Sequence, residues 1–312
     1  MKSTKKNHIQ LTNDLLKIAL TSLFMTSLLS ACGDGGGSSE EKTSVSKEVI
    51  VEVPKCLGSK IDDKTSCLEI SNRKAILYKD NKETKDGIAL FLHGSPGSAN
   101  KVMGIFDAKM IATQHNLVAV SPEGIVSGWG WLSVNNSASN ENSDVEYLTE
   151  LITKVRSEGN INTDKLYIFG YSAGGFMAYR LACAMPEKIT SIVSLAGQFR
   201  GNLDACETST PLAIHHFHST SDDAVPYNGR SLDSIKSVDD TIELWRINNG
   251  CDIDENSQEH VGVTANSSKT ITLTYNNCLA SVTLSKMSFV PHEAEYISQN
   301  LYQIYKYIFD TK

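Results

Sequence analysis

The sequence predicts an α/β fold, with a mostly parallel twisted sheet and helices on both of its faces. Between residues 48 and 312, short apolar runs rich in β-branched residues alternate with longer runs of helical periodicity. A serine flanked by glycines lies where one strand run passes into a helix run, and acidic and histidine residues follow the ends of later strand runs. This alternation is typical of parallel strands whose crossover helices cover both faces of a sheet.

The individual elements follow from the same two periodicities. The predicted strands, in chain order, are EVIVEV, IALFLHG, LVAVSP, KLYIFG, SIVSLAG, PLAIHHFHS, TITLTY and VTLSKMSFV. The predicted helices lie near Asp144–Glu158, Ala173–Met185, Asp239–Asn249 and Glu293–Phe309. Crossovers between parallel strands of one sheet are almost always right-handed, so we expect that hand here.

Residues 1–31 have the pattern of an export signal. Four lysines precede the apolar segment IALTSLFMTSLLSA, which is too short to span a bilayer and ends in small residues. The segment closes on Leu29-Ser30-Ala31-Cys32, which resembles the lipobox of bacterial lipoproteins and predicts a lipid on Cys32. An ordinary cleavage site followed by a chance cysteine is the alternative.

The resulting organisation has three parts. Residues 1–31 are a lipoprotein signal peptide, residues 32–47 are a flexible tether rich in glycine and serine, and residues 48–312 are the globular domain. We therefore expect an exported protein that is anchored to the bacterial cell envelope at the outer membrane, or released outside the cell.

Cysteine usage fits an oxidising compartment. The chain has 7 cysteines, and six remain when Cys32 is set aside for the lipid. Six cysteines allow fifteen pairings, of which we favour bridges between neighbours in the sequence. These pairs are Cys56 with Cys67, Cys183 with Cys206, and Cys251 with Cys278. A zinc site is the rival interpretation, but the chain has no CxxC motif and no paired Cys/His spacing.

Charge narrows the range of partners. The net charge is −7 and there are no basic runs, which argues against nucleic acid as a partner. We expect a monomer that uses no metal and no cofactor.

The segment Gly170-Tyr171-Ser172-Ala173-Gly174 is a G-x-S-x-G motif placed after a strand run and before a helix run. In that position a sharp strand-to-helix turn holds the serine exposed above the sheet, and glycines are needed because the turn is strained and crowded. Ser172 is therefore the candidate nucleophile. A serine hydroxyl needs a general base to take its proton and a third group to orient that base.

Two downstream positions supply the partners in the order Ser, Asp, His that such sheets use. Asp222 follows the strand run PLAIHHFHS, and His292 follows VTLSKMSFV. Alternatively, Asp222 and Asp223 merely open a loop, or His292 is an exposed residue at a helix start. His260 competes as the base, but it lies in the polar stretch ENSQEHVG, away from any predicted strand end.

A histidine-rich strand offers a further alternative, since His215, His216 and His218 have the appearance of a metal cluster. Successive residues of a strand point to opposite faces, so His215 and His216 cannot both face one ion. Structural histidines are the interpretation that we prefer.

Acyl transfer also requires donors for the oxyanion of the tetrahedral intermediate. We assign one to the backbone N–H of Ala173, directly after the nucleophile, and the other to the N–H of Ser95 in the loop HGSPG. A plain turn would have the same sequence, so the Ser95 assignment depends on the rest of the site.

Aromatic residues near these loops suggest substrate contacts. Trp129 and Trp131 lie among Gly, Ser and Asn in the segment SGWGWLSVNNSASNEN, a composition suited to a loop that presents aromatic rings, and Tyr171 adjoins the nucleophile. One of the tryptophans filling the core is an equal alternative.

Several spaced blocks together resemble a known family. The segments SPEG, KLYIFGYSAGGFMAYRLACAMPE, HSTSDDAVPYNG and WRINNGC look like the secreted polyhydroxybutyrate depolymerase-like and feruloyl esterase-like branch of the α/β-hydrolases. The resemblance covers most of residues 86–312. It implies a triad of Ser172, Asp222 and His292, and it supports the pairing of Cys251 with Cys278.

Two departures from the family pattern are visible. The last block usually reads G-G-H followed by Trp-Pro, where this chain has Phe289-Val290-Pro291-His292-Glu293-Ala294. The residue after the nucleophile is commonly Asn or Gln, whereas here it is Ala173, which changes little because the backbone N–H is the group required.

The resemblance implies a serine esterase that acts on polyhydroxyalkanoate, feruloyl or acetyl-carbohydrate esters, either small or polymeric. Two other hypotheses remain: an inactive hydrolase scaffold that serves as a surface binding protein, and a peptidase on the same fold.

Overall fold

The computed structural model describes residues 54–125, 130–135, 142–206 and 208–310. The chain divides after Ile50, and every described residue belongs to the second unit, Val51–Lys312. The predicted signal, the lipid-bearing Cys32, the tether and the predicted strand EVIVEV all lie outside the described residues.

Twelve strands are present among the described residues. They are β1 Lys55–Cys56, β2 Ser59–Lys60, β3 Thr65–Ile70, β4 Arg73–Tyr78, β5 Ile88–Leu92, β6 Val118–Pro122, β7 Leu166–Tyr171, β8 Ser191–Leu195, β9 Ala213–Ser219, β10 Glu255–Val261, β11 Lys269–Tyr275 and β12 Val282–Met287. The first two form a small hairpin of their own, and the other ten form one sheet in the order β10-β11-β12-β9-β8-β7-β5-β6-β4-β3.

The six central strands of this sheet, from β12 to β6, are parallel. Two antiparallel strands extend it at each side, β11 and β10 at one and β4 and β3 at the other. The predicted mostly parallel sheet is confirmed. Its parallel strands all end at the same edge, so the loops that follow them meet there.

Seven α-helices are present in the same part of the chain: α1 Ala99–Phe106, α2 Ala108–Gln114, α3 Leu132–Asn135, α4 Ser143–Glu158, α5 Ala173–Ala184, α6 Val238–Asn248 and α7 Ser298–Tyr305. Helices α4, α5 and α6 pack on one face of the sheet, and α1, α2 and α7 pack on the other. Strand β5 shows why both faces are apolar. Leu90 packs in the apolar core beneath α4, α5 and α6, and its neighbour Phe91 packs in the core beneath α1, α2 and α7. Side chains that alternate along a strand must face opposite sides of the sheet in this way.

The helix ends follow simple capping rules. Ser98 accepts a hydrogen bond from the N–H of Lys101 at the start of α1, and Ser237 does the same for Asp240 at the start of α6. Acidic residues occupy the first turn of α4 and Arg156 its last turn, which complements the helix dipole.

The structure corrects three secondary-structure predictions. The segment ENSQEHVG contains the edge strand β10, so His260 lies in a strand. The sequence did not predict this strand because its exposed side chains are mostly polar and show no apolar alternation. Strands β1 to β4 and helices α1 to α3 were not predicted. The last helix begins at Ser298 and not at Glu293, which leaves the segment around His292 as a loop.

Three disulfides join the six cysteines as neighbouring pairs: Cys56 with Cys67, Cys183 with Cys206, and Cys251 with Cys278. The second bridge ties the end of α5 to the segment after β8. The third ties the segment after α6 to the turn between β11 and β12.

Within the described ranges, none of the helices combines the length and the apolar character that a membrane crossing requires.

Candidate active site

The turn between β7 and α5 holds Ser172 in a strained conformation. Its backbone angles are φ 54° and ψ −119°, in a region that costs a residue other than glycine roughly 1–3 kcal/mol. The N–H of Ser172 donates to the carbonyl of Leu195 on the neighbouring strand at 2.9 Å, which holds the turn against the sheet.

The glycines around Ser172 are required by space. A Cβ on Gly170 would lie 2.2 Å from the carbonyl oxygen of Gly174, and a Cβ on Gly174 would lie 1.9 Å from that of Leu92. Neither backbone atom can yield as a flexible side chain would. The G-x-S-x-G pattern therefore reflects how closely α5 begins against β7 and β5.

The structure brings Ser172, His292 and Asp222 together. The Oγ of Ser172 lies 2.8 Å from Nε2 of His292, and Nδ1 of the same imidazole lies 2.7 Å from Oδ2 of Asp222. All three residues are at least nine-tenths buried, with exposed fractions of 6%, 7% and 5%. The imidazole thus lies between a hydroxyl that can lose a proton and a carboxylate that can stabilise the imidazolium.

Each partner comes from a loop at the same edge of the sheet. Asp222 follows β9, and its Oδ1 accepts the N–H of Val225 at 2.8 Å. His292 follows β12. His260 is a residue of β10, where it pairs with Thr270 of β11, and the histidine bonded to Ser172 is His292.

The candidate oxyanion residues Ser95 and Ala173 both lie close to Gly130. A Cβ placed on Gly130 would be 2.9 Å from Cβ of Ser95 and 3.6 Å from Cβ of Ala173, and one on Gly94 would be 3.1 Å from Cβ of Ser172. Three loops, after β5, β6 and β7, therefore converge around Ser172. Ala173 also begins α5, whose N-terminal end favours negative charge.

This fold and this geometry agree with the comparison of the chain with known families. Residues 72–237 match the phospholipase/carboxylesterase family, which is more than half of the chain. The chain belongs to this family. The family consists of carboxylic ester hydrolases with the α/β-hydrolase fold, and the sheet described above has that fold.

Individual relatives are distant. The chain is 26% identical over 152 residues to "Putative esterase NocK" of Nocardia uniformis subsp. tsuyamanensis, covering 46% of this chain and 42% of that protein. It is 26% identical over 198 residues to "Probable feruloyl esterase C" of Aspergillus flavus, covering 62% of this chain and 64% of that one. The chain spans about half the length of the curated relatives that it matches.

Among solved structures, "Acetyl xylan esterase from Aspergillus awamori" superposes with a TM-score of 0.59 at 13% identity, covering 78% of this chain and 98% of that one. At this identity the likeness shows the fold alone.

Tyr171, which the sequence suggested as a substrate contact, lies beneath His292. It is buried, its hydroxyl donates to the carbonyl of His292 at 2.8 Å, and its ring stacks on the imidazole with 5.6 Å between centroids. Burial raises the pKa of its phenol well above the ordinary value, so the hydroxyl stays protonated as a donor. The expectation of a substrate contact is therefore wrong, and Tyr171 supports the histidine.

Trp131, the second aromatic residue that the sequence suggested as a substrate contact, lies in the core. Its side chain is fully buried and its Nε1–H donates to the carbonyl of His93 at 2.9 Å. The expectation that its ring faces substrate is wrong, because the ring is fully buried in the apolar core on the α4, α5 and α6 face of the sheet. Trp129 lies outside the described residues.

Sequence reasoning missed the role of His93 in the loop after β5. Its Nε2 accepts the N–H of Gly124 at 2.9 Å, so the proton is on Nδ1, which lies 2.7 Å from the carbonyl of Gly94. Burial lowers the pKa of His93, which keeps this neutral form. The neutral imidazole thus joins the loops after β5 and β6 directly behind Ser95.

A buried ion pair supports the same region. Arg73 of β4 lies 2.8 Å from Asp144 of α4, and it also donates to the carbonyl of Glu123. Oδ2 of Asp144 accepts the N–H of Ser133 at 2.9 Å. No motif marks these residues, because Arg73 and Asp144 are brought together only by the folding of the sheet.

The described residues include no group of three or more His, Cys, Asp or Glu side chains arranged to hold a metal ion. His215 faces one core and bonds to Ser285 and Tyr307, whereas His216 and His218 face the other.

Proposed function

We propose that this protein is a serine carboxylesterase that hydrolyses its substrate through an acyl-enzyme on Ser172. The observation that carries this proposal is the continuous hydrogen-bonded line from Ser172 through His292 to Asp222. A hydroxyl, an imidazole and a carboxylate in this order form the constellation that makes serine nucleophilic at neutral pH.

In the acylation step, Nε2 of His292 accepts the proton of Ser172 Oγ while that oxygen attacks the ester carbonyl. The carbonyl oxygen becomes negatively charged and is stabilised by the backbone N–H groups of Ala173 and Ser95 and by the N-terminal end of α5. Each such donor contributes roughly 3–4 kcal/mol of transition-state stabilisation. When the C–O bond to the alcohol breaks, Nε2 of His292 gives its proton to the departing oxygen, which leaves the acyl group on Ser172.

Deacylation reverses these roles. His292 takes a proton from a water molecule, whose oxygen attacks the acyl carbon, and then returns that proton to Ser172 as the acid leaves. Asp222 keeps the imidazole in the required tautomer throughout, because its carboxylate accepts Nδ1–H.

For the substrate, we propose acyl esters of carbohydrates, with feruloyl or acetyl acyl groups, and polyhydroxyalkanoate esters as the alternative class. Support comes from the names of the relatives, which include feruloyl esterases and a "Bifunctional acetylxylan esterase/xylanase" of Neocallimastix patriciarum. The burial of Trp131 removes one aromatic ring that the sequence had offered as a platform for stacking.

The test is hydrolysis of a panel of esters by the protein without residues 1–32. The panel spans short p-nitrophenyl esters, feruloyl esters, acetylated sugars and hydroxybutyrate oligomers. Wild-type protein hydrolyses p-nitrophenyl acetate and Ser172→Ala does not, while the melting temperatures agree. Equal turnover by the variant removes Ser172 from the mechanism.

The same panel, extended with peptide substrates and a binding measurement, distinguishes the remaining hypotheses. A protein that binds esters or carbohydrates without turning any of them over is an inactive scaffold, and one that cleaves peptides faster than esters is a peptidase. Since the sequence offered both His292 and His260 as candidates for the general base, the esterase activities of His292→Ala and His260→Ala are compared. We expect loss of activity only in the first.

We also propose that residues 1–31 direct export, that Cys32 carries a lipid, and that residues 32–47 tether the domain of residues 48–312 to the outer membrane. The three disulfides support an oxidising compartment. Detergent partitioning tests the anchor: full-length protein enters the detergent phase and Cys32→Ser does not. Equal partitioning of the two proteins contradicts the anchor.

A further inference from the structure

A second buried histidine faces Asp222 from strand β9. Nε2 of His218 lies 3.6 Å from Oδ2 of Asp222 and 2.8 Å from the carbonyl oxygen of Val225. The N–H of Val225 in turn donates to Oδ1 of Asp222. The turn from 222 to 225 is therefore held at its amide by the Asp222 side chain and at its carbonyl by His218.

His218 is itself held by two further buried groups. Nε2 of His216 lies 3.1 Å from Nδ1 of His218, and Nδ1 of His216 lies 2.9 Å from the hydroxyl of Tyr179 on α5. The side chains of His216 and His218 and the residue Tyr179 are all fully buried. A line of polar atoms thus runs from α5 through β9 to the carboxylate of the triad.

One carbonyl determines the direction of every bond in this line. The oxygen of Val225 only accepts, so Nε2 of His218 carries a proton, and in the neutral imidazole Nδ1 is then a bare acceptor. His216 must then donate from Nε2, which leaves its own Nδ1 to accept from Tyr179. Both imidazoles are neutral in this arrangement, and burial lowers the pKa of each, which favours that form.

We propose that His218, oriented by His216 and Tyr179, is a positioning residue that keeps the carboxylate of Asp222 against His292. It acts by donating Nε2–H to the Val225 carbonyl, which closes the turn on which Asp222 depends, and its Nε2 also lies 3.6 Å from the Oδ2 atom of Asp222. This inference rests on the proposed function for its kinetic readout.

The same strand provides a matched control. His215 is as buried as His218, but it faces the opposite core, where it bonds to Ser285 Oγ at 2.8 Å and to the hydroxyl of Tyr307 at 3.1 Å. Removal of either imidazole leaves a buried void and unpaired hydroxyl or carbonyl groups, so the two losses of stability should be similar. Only the loss of His218 should change the position of the Asp222 carboxylate.

The experiment compares His218→Ala, His218→Gln and His215→Ala in the protein without residues 1–32, with p-nitrophenyl acetate as the probe. We expect His218→Ala to lower kcat roughly 30- to 100-fold at an unchanged KM, because the base is displaced by a fraction of an ångström. The amide of His218→Gln can still donate to the Val225 carbonyl and restores most of this loss. His215→Ala keeps the kcat of the wild type at a temperature where both variants are folded.

A pH profile separates positioning from a merely structural role. The groups that face His292 are Asp222 and His218 from the β9 side, Tyr171 from β7, and Glu293, whose carboxylate is paired with Lys101 of α1. When Asp222 moves away, the imidazolium is less stabilised, so the acid limb of kcat/KM shifts to lower pH in His218→Ala. It does not shift in His215→Ala.

Tyr179→Phe keeps the ring in the core and removes only the hydroxyl. It therefore tests the hydrogen bonds from Tyr179 through His216 to His218 even if His218→Ala does not fold. We expect a roughly threefold loss of kcat in the same direction. Equal kinetics of His218→Ala and His215→Ala, or an unmoved acid limb together with wild-type kcat in Tyr179→Phe, overturns the proposal.

One readout does not depend on turnover. We expect the proton between Nδ1 of His292 and Asp222 to give a strongly deshielded NMR resonance, which should move or disappear in His218→Ala and stay in His215→Ala. If the wild type proves inactive, the proposed function fails while this measurement still decides the role of His218.

Discussion

Gly174 offers a direct test of how closely the turn that holds Ser172 must pack against the end of β5, whose following loop carries Ser95. A Cβ at this position would lie 1.9 Å from the carbonyl oxygen of Leu92, 2.4 Å from its carbonyl carbon and 2.8 Å from the carbonyl oxygen of His93. Real Cβ atoms essentially never approach closer than 3.0 Å. In Gly174→Ala the start of α5 must therefore move away from the end of β5 by about 1.1 Å, and displacements of this size cost about 10²-fold in rate.

The displaced segments carry Ser172 and Ala173 on one side and Ser95 on the other, so the damage falls on the oxyanion donors. Loss of one donor costs roughly 10²- to 10³-fold in kcat, and this is the loss that we expect for Gly174→Ala with p-nitrophenyl acetate. The overpacked core also lowers the free energy of unfolding by about 1–3 kcal/mol, measured by thermal unfolding.

Gly104→Ala is the matched control. It lies in α1, where an added Cβ meets nothing within 4 Å, so it should raise the stability by about 1 kcal/mol and leave kcat unchanged. A folded Gly174→Ala protein with the kcat of the wild type would refute the reasoning.

Three further predictions concern the triad, a disulfide and pH. Asp222→Asn should lower kcat about 10⁴-fold in the ester assay, because an amide does not hold the required tautomer of His292; a loss below tenfold contradicts the proposed role. Replacement of Cys251 and Cys278 by serine should lower the free energy of unfolding by about 3.5 kcal/mol in chemical denaturation, since the bridge closes a loop with a sequence separation of 27; an unchanged midpoint argues against this bridge. Burial lowers the pKa of His215 to about 3, so below pH ~6.5 the unfolded chain binds a proton there that the native state does not. The free energy of unfolding should then fall by about 1.4 kcal/mol per pH unit from this histidine alone, and His215→Gln should flatten the dependence of melting temperature on pH between about 6.5 and 4.

Local patterns in the chain predicted the central strands well. Strands such as β5, β7 and β8 are buried on both faces, and they appear as short apolar runs between turns. The edge strand β10 was missed for the opposite reason, because its exposed side chains are mostly polar. The start of the last helix was also misplaced. The residues from 288 to 297 form a loop between β12 and α7, and His292 in this loop places its imidazole beside Ser172.

Side-chain burial was less predictable than chain path. Tyr171 and Trp131 adjoin functional loops in the sequence, which suggested contact with substrate, yet both rings point into the protein. An aromatic residue next to a reactive loop can line the pocket or support the loop from behind, and composition is the same in either case.

By itself, the sequence determined the central strands from β5 to β9 and the helix after Ser172, the turn at Ser172, and the positions of Asp222 and His292 after later strands. These features depend on residues close together in the chain, where apolar periodicity, glycine and turn chemistry act. Only the tertiary structure decided which histidine meets Ser172, and only it brought Tyr179, His216 and His218 into line behind Asp222. Such contacts join residues that different strands and helices carry, so they are set by the order of strands in the sheet and by packing on its two faces.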